Sequence, residues 1–363
     1  MDSKKRVFSD SADYSDISVD SKKRLNSSRS SSGKIDIKSL TNDSDTKYKS
    51  SSERSDIEDR DGMFEYNKYM QKKVCSILSR FDGNEFSYDK WLREEGGYGI
   101  TRVLQNGRIF EKSCVNVSVM EGELKLESVV KRKGLNLEEG VQYKFKVAGL
   151  TIVIHPNNPF APSTHANYRY FELFRSDSPD ENPVIYWFGG GADLNPAYVI
   201  DEDAIFFHSV HKKVCDKYDK RYYPAFKKWC DEYFYLPNRG EFRGIGGIFF
   251  DDLDDKPAEE LFEFVKDASK AFLYAYIPII SRRINIPYQK KHKEWQLVRR
   301  GRSVEFNLSF DRGTKFGIST SVRTESILSS LPLNCIFHYN YQTTEGSLEE
   351  SSLEILKNPR DWI

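Results

Sequence analysis

Hydrophobic residues first recur at helical spacing from about residue 63. In FEYNKYMQKKVCSILSRF, the positions Phe64, Met70, Val74, Ile77, Leu78 and Phe81 follow the 3.6-residue period, and Asp82-Gly83-Asn84 then breaks it. The period changes at GVQYKFKVAGLTIVIH, residues 140–155, which alternates and then becomes continuously apolar, as a central strand does. NYRYFELF (167–174) and VIYWFGGG (184–191) read as further strands. AIFFHSVHKKVCDKY and PAFKKWCDEYFYL read as helices, the second opening at Pro224, whose ring fixes φ for a first turn. Residues 257–280 carry the longest helical pattern, and SVEFNLSFDRG (303–313) reads as a strand running into a turn. Strands fall in two blocks, with helices between and after them. The pattern predicts one α+β domain, a large antiparallel sheet flanked by helices, and not a regular βαβ alternation.

Residues 1–60 break with all of this. They hold 17 Ser, 12 acidic and 13 basic residues against 13 apolar or aromatic ones, too few to offset the entropy of ordering. They are expected to form a disordered tail ahead of a catalytic domain at 61–363. Early acids at Asp2, Asp10, Asp13, Asp16 and Asp20 argue against a transit peptide, so the cytoplasm is the expected compartment. Lys plus Arg and Asp plus Glu both number 55, a balance that excludes a general nucleic-acid binder but not a local basic pocket. The five cysteines show no CxxC spacing and are expected to be buried, reduced thiols. No apolar run approaches the ~20 residues that span a bilayer.

Four segments carry candidate chemistry. In TIVIHPNNPFAPSTHANYRY (151–170), Pro156, Pro159 and Pro162 make a rigid bend between two strands. Period-two alternation then puts His165, Asn167 and Arg169 on one face. That face is either a solvated strand surface or a site that exchanges a proton at His165 and holds a carboxylate at Arg169. WFGGGADLNPAY (187–198) either lets backbone approach something closely or makes a sharp turn, with Asp193 and Asn195 as candidate turn caps, so the segment is either structural or pocket-lining. It lacks the Gly-Lys-Ser/Thr of a phosphate loop. In RGEFRGIGGIFFDDL the glycines precede a strand, the reverse of a dinucleotide fingerprint. Asp251 and Asp252 are adjacent on that strand and so face apart; one is expected to pair with Arg239 or Arg243. Residues 301–328 gather Arg302, Arg312, Lys315 and Arg323 near Asp311 and Glu305, either a salt-bridged edge or a carboxylate-binding cluster. The basic run KKHKEWQLVRRGR is expected to be a solvated helix face.

Together these segments closely resemble the oxygen-dependent coproporphyrinogen III oxidase family. KKWCDEYF followed by RGEFRGIGGIFFDDL, WFGGGADLNP, HPNNPFAPSTHANYRYFE, VEFNLSFDRGTKFG, GGYGITRVLQNGRIFEKSCVNVS and the final PRDW carry the likeness, which runs from about Phe86 to Ile363. The resemblance implies an antiparallel sheet with helices on both faces, a homodimer joined through roughly residues 303–338, and oxidative decarboxylation of two propionates of coproporphyrinogen III to give protoporphyrinogen IX. Dioxygen is then the co-substrate, and neither cofactor nor metal is expected. By resemblance His165 is the proton donor, and Asp311 and Arg312 are a catalytic pair. Thr151, the triplet Asn167, Tyr168 and Arg169, and the triplet Ser321, Val322 and Arg323 bind substrate. Chemistry agrees: a neutral chain must cluster guanidinium groups to hold four propionates, and Asp311 is the expected acceptor for the pyrrole N–H groups. The chain departs where the family has Gly-Gly-Arg and this sequence has Ser321-Val322-Arg323, and where Thr151 replaces Ser. Of four histidines described as metal-binding in bacterial-type members, three match His155, His165 and His208, and the fourth falls on Asn238. The alternative reading is a catalytically inactive tetrapyrrole-binding or regulatory protein on the same fold; a metal-dependent hydrolase has only scattered histidines and Asp251 and Asp252 behind it.

Overall fold

Six strands follow one another along the chain and each pairs antiparallel with the next, one run closing at Pro156 and another at Asn195. The computed structural model describes residues 56–94, 96–123, 134, 137–138, 140–178, 182–319 and 323–363. Its strands are β1 (Ser87–Leu92), β2 (Gly97–Gln105), β3 (Phe110–Glu123), β4 (Tyr143–Pro156), β5 (Ser163–Arg175) and β6 (Ile185–Asn195). Two helices, α2 (Asp201–Tyr218) and α3 (Tyr222–Tyr233), and a two-stranded hairpin, β7 (Tyr235–Leu236) with β8 (Glu241–Phe242), lead to β9 (Gly247–Leu253). The sheet has seven strands in the order β1-β2-β3-β4-β5-β6-β9, antiparallel throughout. The α+β class and the antiparallel sheet expected from the sequence are what the structure shows.

The two faces of the sheet differ. On β5 the buried positions are Thr164, Ala166, Tyr168 and Tyr170, while Ser163, His165, Asn167 and Arg169 are half-buried. Helices α1 (Asp56–Asp82) and α4 (Ala258–Arg283) cover the buried face. Gln71 of α1 donates to the carbonyls of Ile100 and Val115, both at 2.7 Å, and the Tyr168 hydroxyl donates to the Ala268 carbonyl of α4 at 2.9 Å. Each apolar side chain sealed in this layer contributes about 1.5–3 kcal/mol. The opposite face carries α5 (Lys290–Ser309), α6 (Arg312–Ser319) and α7 (Thr324–Leu328) toward its margins, and α8 (Leu348–Lys357) packs by the hairpin. Among the described residues no helix is long and apolar enough to cross a membrane.

Three expectations are corrected. Residues 303–309 close helix α5 and are not a strand. A strand would bury Val304, Phe306 and Leu308 on one face, yet Leu308 is 45% exposed. A helix already running from Lys290 adds one hydrogen bond per residue, so it propagates through the segment, and Phe306 seals it against Phe234 and Tyr233. Nor is 289–302 a solvated face: Trp295, Val298, Arg299 and Arg300 are buried, with Arg299 on Glu241 at 2.8 Å and Arg300 on Glu111. The first helix begins at Asp56, earlier than Met63. The tail expected at 1–60 falls, for residues 1–55, outside the described residues. Cys75, Cys114, Cys215 and Cys230 are buried free thiols, and Cys335 is a half-buried one.

Candidate active site

Strand register builds the site. Asp89, Thr101, Asn116, Thr151, Asn167, Gly191 and Phe249 stand in one row across the sheet, each paired with its neighbour on the next strand. Paired residues share a face, so this row and those beside it form one polar floor opposite the α1–α4 layer. Within it the Asn167 amide donates to Thr151 Oγ1 at 2.7 Å, and Arg169 Nη1 donates to Asn167 Oδ1 at 3.0 Å. The three expected binding residues Thr151, Asn167 and Arg169 are thus one hydrogen-bonded chain. Gly189 lies opposite Arg169, and a Cβ there would fall 2.7 Å from Nε. The glycine run therefore lets this guanidinium lie across β6 toward β9.

There Arg169 meets Asp251 at 2.9 Å, with Arg312 3.9 Å from the other oxygen of the same carboxylate. This corrects the expectation that one of Asp251 and Asp252 pairs with Arg239 or Arg243: Arg239 binds Glu305 and Arg243 binds Asp193. Between the two guanidinium groups sits an aromatic pair. Phe249 and Tyr233 stack with centroids 4.4 Å apart at 12°, Arg169 lies 5.9 Å from the Phe249 ring, and Arg312 lies 5.1 Å from the Tyr233 ring. The Tyr233 hydroxyl donates to Asp311 Oδ1 at 2.8 Å, and Asp311 Oδ2 accepts from the Thr314 N–H at 2.6 Å. Asp311 therefore opens α6, yet an ionised carboxylate keeps lone pairs for a further donor.

His165 stands opposite Asp193 in the β5–β6 register, and its Nδ1–H donates to Asp193 Oδ1 at 2.8 Å. Arg243, itself buried, donates to Asp193 Oδ2 at 2.6 Å. Burial raises the Asp193 pKa, but the Arg243 guanidinium and His165 outweigh it and hold the carboxyl at about 2. An ionised carboxylate only accepts, so Nδ1 carries the proton and Nε2 is the nitrogen left for a substrate.

Arg323 is on the same floor but at its far side. It precedes α7 and pairs with Asp89 on β1, while Ser326 touches Thr101 and Asn116. Four strand spacings separate β1 from β5, roughly 20 Å of floor between Arg323 and Arg169. Tyr168 is not on this face: its side chain is 1% exposed among the helices, so it supports the floor from behind. Ser321 and Val322 lie outside the described residues. His155 and His208 do not join His165. His155 bonds Ser163 and the Ser330 carbonyl, and His208 bonds Tyr223 and the Ile245 carbonyl. Among the described residues no three His, Cys, Asp or Glu side chains gather as a metal site.

Sequence reasoning missed Asp89, Tyr233 and Phe249, read Asp193 as a candidate turn cap, and gave one of Asp251 and Asp252 the wrong arginine. Asp193 alone had a visible signal, since the strands bearing it and His165 are consecutive in the sequence and consecutive strands tend to pair.

A family model described as coproporphyrinogen III oxidase matches residues 62–362. A chloroplastic oxygen-dependent coproporphyrinogen-III oxidase of Glycine max is 48% identical over 298 residues, covering 81% of this chain and 77% of its own. The mitochondrial enzyme of Rattus norvegicus is 48% identical over 299 residues, 81% of this chain and 66% of its own. An oxygen-dependent coproporphyrinogen-III oxidase of Francisella tularensis subsp. mediasiatica is 49% identical over 303 residues, 81% and 95% respectively. With the match spanning the sheet, its helices and every site residue described above, the chain belongs to the coproporphyrinogen III oxidase family.

Proposed function

We propose that this chain is an oxygen-dependent coproporphyrinogen III oxidase of heme biosynthesis. It converts two propionates of coproporphyrinogen III to vinyl groups and yields protoporphyrinogen IX. The observation that carries the reading is the single polar floor that joins Thr151, Asn167, Arg169 and Arg312 to His165 at one side and reaches Arg323 at the other. A tetracarboxylate laid on that floor meets guanidinium groups at separated points, which fixes the ring and orients one propionate for reaction.

Each turnover removes a hydride equivalent from the propionate β-carbon as the C–C bond to the carboxylate breaks. Dioxygen takes those two electrons and, with a proton, leaves as hydrogen peroxide, while carbon dioxide departs and the vinyl double bond forms. His165 moves the proton through Nε2. Asp311 accepts from the pyrrole N–H groups, Arg312 beside it holds a carboxylate, and the floor shields intermediates from water. None of these steps calls on a metal or an organic cofactor.

Incubation with coproporphyrinogen III in air, under argon, and in air with a chelator tests the reading. Protoporphyrin fluorescence after reoxidation should need oxygen and ignore the chelator. No product in air overturns the activity; chelator-sensitive product overturns only the metal-free chemistry.

A homodimer through residues 303–338 belongs to the same proposal. Leu308, Ile318, Leu328 and Phe337 in that stretch are exposed apolar side chains, which a partner subunit would cover. Sedimentation at low micromolar concentration should give twice the chain mass, and a monomer rules the dimer out. The cytoplasm is the compartment proposed; organellar localisation of the tagged full-length chain would refute it.

A further inference from the structure

The guanidinium groups that this function gives to propionate are already occupied. Arg169 holds Asp251 at 2.9 Å, Arg312 approaches the same carboxylate at 3.9 Å, and Arg323 holds Asp89. With Asp311 beside Arg312, three cations on the floor face three carboxylates. A polyanion therefore meets three arginines whose charge is already compensated. Its carboxylates must take contacts that aspartates now fill.

Asp251 is placed for this by a local distortion. Phe188 pairs with Leu253 and Gly190 with Phe250, so Asp251 and Asp252 both stand opposite the single Gly189. That is a β-bulge, which bends the strand and re-aims a side chain. Asp252 pays for it with φ of 51°, in the left-handed region that a non-glycine residue avoids, and its N–H donates to Asp251 Oδ1 at 3.0 Å. Strain held beside an arginine on the candidate floor marks a constrained side chain, not a casual surface pair. Asp89 is different: it lies on the edge strand, 46% exposed, and meets an arginine 36% exposed.

We propose that Asp251 and Asp89 are internal counter-ions, standing where substrate carboxylates will bind, and that propionates displace them from Arg169 and Arg323. This rests on the proposed function and deepens it. Before substrate binds, the aspartates hold the arginines in place. In the complex they compete, so a ring with four carboxylates wins the arginines and a ring with two is released more readily. Both are positioning residues, acting through the arginines.

The test is a fluorescence titration with coproporphyrin III, the oxidised tetracarboxylate ring, which binds without turnover, and with the dicarboxylate protoporphyrin IX. Asp251→Asn and Asp89→Asn keep shape and an acceptor oxygen but remove the competing charge. Tetracarboxylate Kd should fall about ten-fold for the first and about three-fold for the second, the exposed pair being the more screened. In both variants log Kd should also rise more steeply with log salt, since the floor gains a positive charge. A strut that merely holds the site together would give the opposite sign: weaker binding, with unchanged salt dependence. Wild type that binds the tetracarboxylate, with variants that bind it no tighter, overturns this proposal alone. Wild type that does not bind it overturns the reading of the floor as well. Asp89→Asn, on an exposed edge, decides the question even where Asp251→Asn fails to fold.

Discussion

The orientation of His165 depends on a residue 28 positions away that strand register brings opposite it. Asp193 keeps Nδ1 protonated and the ring fixed, so Asp193→Asn should lower kcat about 100-fold, in the range of positioned acid–base groups, with a much smaller change in KM. Asparagine still offers an oxygen to Arg243, so the variant should fold; steady-state rates within three-fold of wild type would remove the relay from the mechanism. Tyr233 plays the matching part for Asp311. Tyr233→Phe keeps the stack on Phe249 but deletes the hydroxyl that bonds the carboxylate. One such hydrogen bond is worth about 1–1.5 kcal/mol, so kcat should fall about ten-fold. Asp311→Ala should abolish product formation, and near-normal turnover would assign the pyrrole N–H groups to another acceptor. His165 and Arg169 could be singled out in the sequence because their types announce proton and carboxylate chemistry, and Asp311 through the family resemblance. Tyr233 and Phe249 were hidden, because an aromatic in a helix or strand reads as core until coordinates show what lies over its ring.

Strand β5 shows why an element, and not a run of neighbours, defines the site. Asn167, Tyr168 and Arg169 are consecutive, yet the pleat sends the middle side chain to the opposite layer. Tyr168→Phe should therefore cost about 1 kcal/mol of stability through the bond to the Ala268 carbonyl and leave substrate KM unchanged. Asn167→Ala, on the floor, should raise KM; a matching rise for Tyr168→Phe would show that the hydroxyl reaches substrate after all. Alternation made β4, β5 and β6 legible from sequence, since a one-residue slip would turn their apolar sets to the wrong face. It misled at 303–309, where an alternating stretch was absorbed into a preceding helix. Nearest-neighbour cooperativity outweighed the local pattern there, and the strand reading moved Arg302 to a sheet edge when it sits on α5 beside Glu241.

At the scale of the whole molecule, acid should lower the stability of the protein over two pH windows. His155, His208 and His211 are buried, and burial lowers their pKa values from 6.5 to about 3, about 3 and about 4. The unfolded chain takes up protons at these sites from about pH 6.5 downward while the folded chain refuses them, so stability falls as pH drops from about 6.5 toward 3. Asp193 acts lower: its folded value near 2 lies below the ordinary 3.8, so its contribution is complete above about pH 4 and lost between 4 and 2. The windows overlap between about pH 4 and 3, so the histidine contribution is read above about pH 4. Urea midpoints measured from pH 7.5 to 4.5 should decline, and His208→Gln should flatten that slope, because glutamine takes up no proton on unfolding. Asp193→Asn should leave the slope in this range unaltered and change the curve only below about pH 4. A wild-type midpoint constant from pH 7 to 5 would mean that the histidines are not held neutral. The buried histidines tie the sheet to the chain around Ser330 and α2 to α3, so the same groups that resist protonation also hold these layers together.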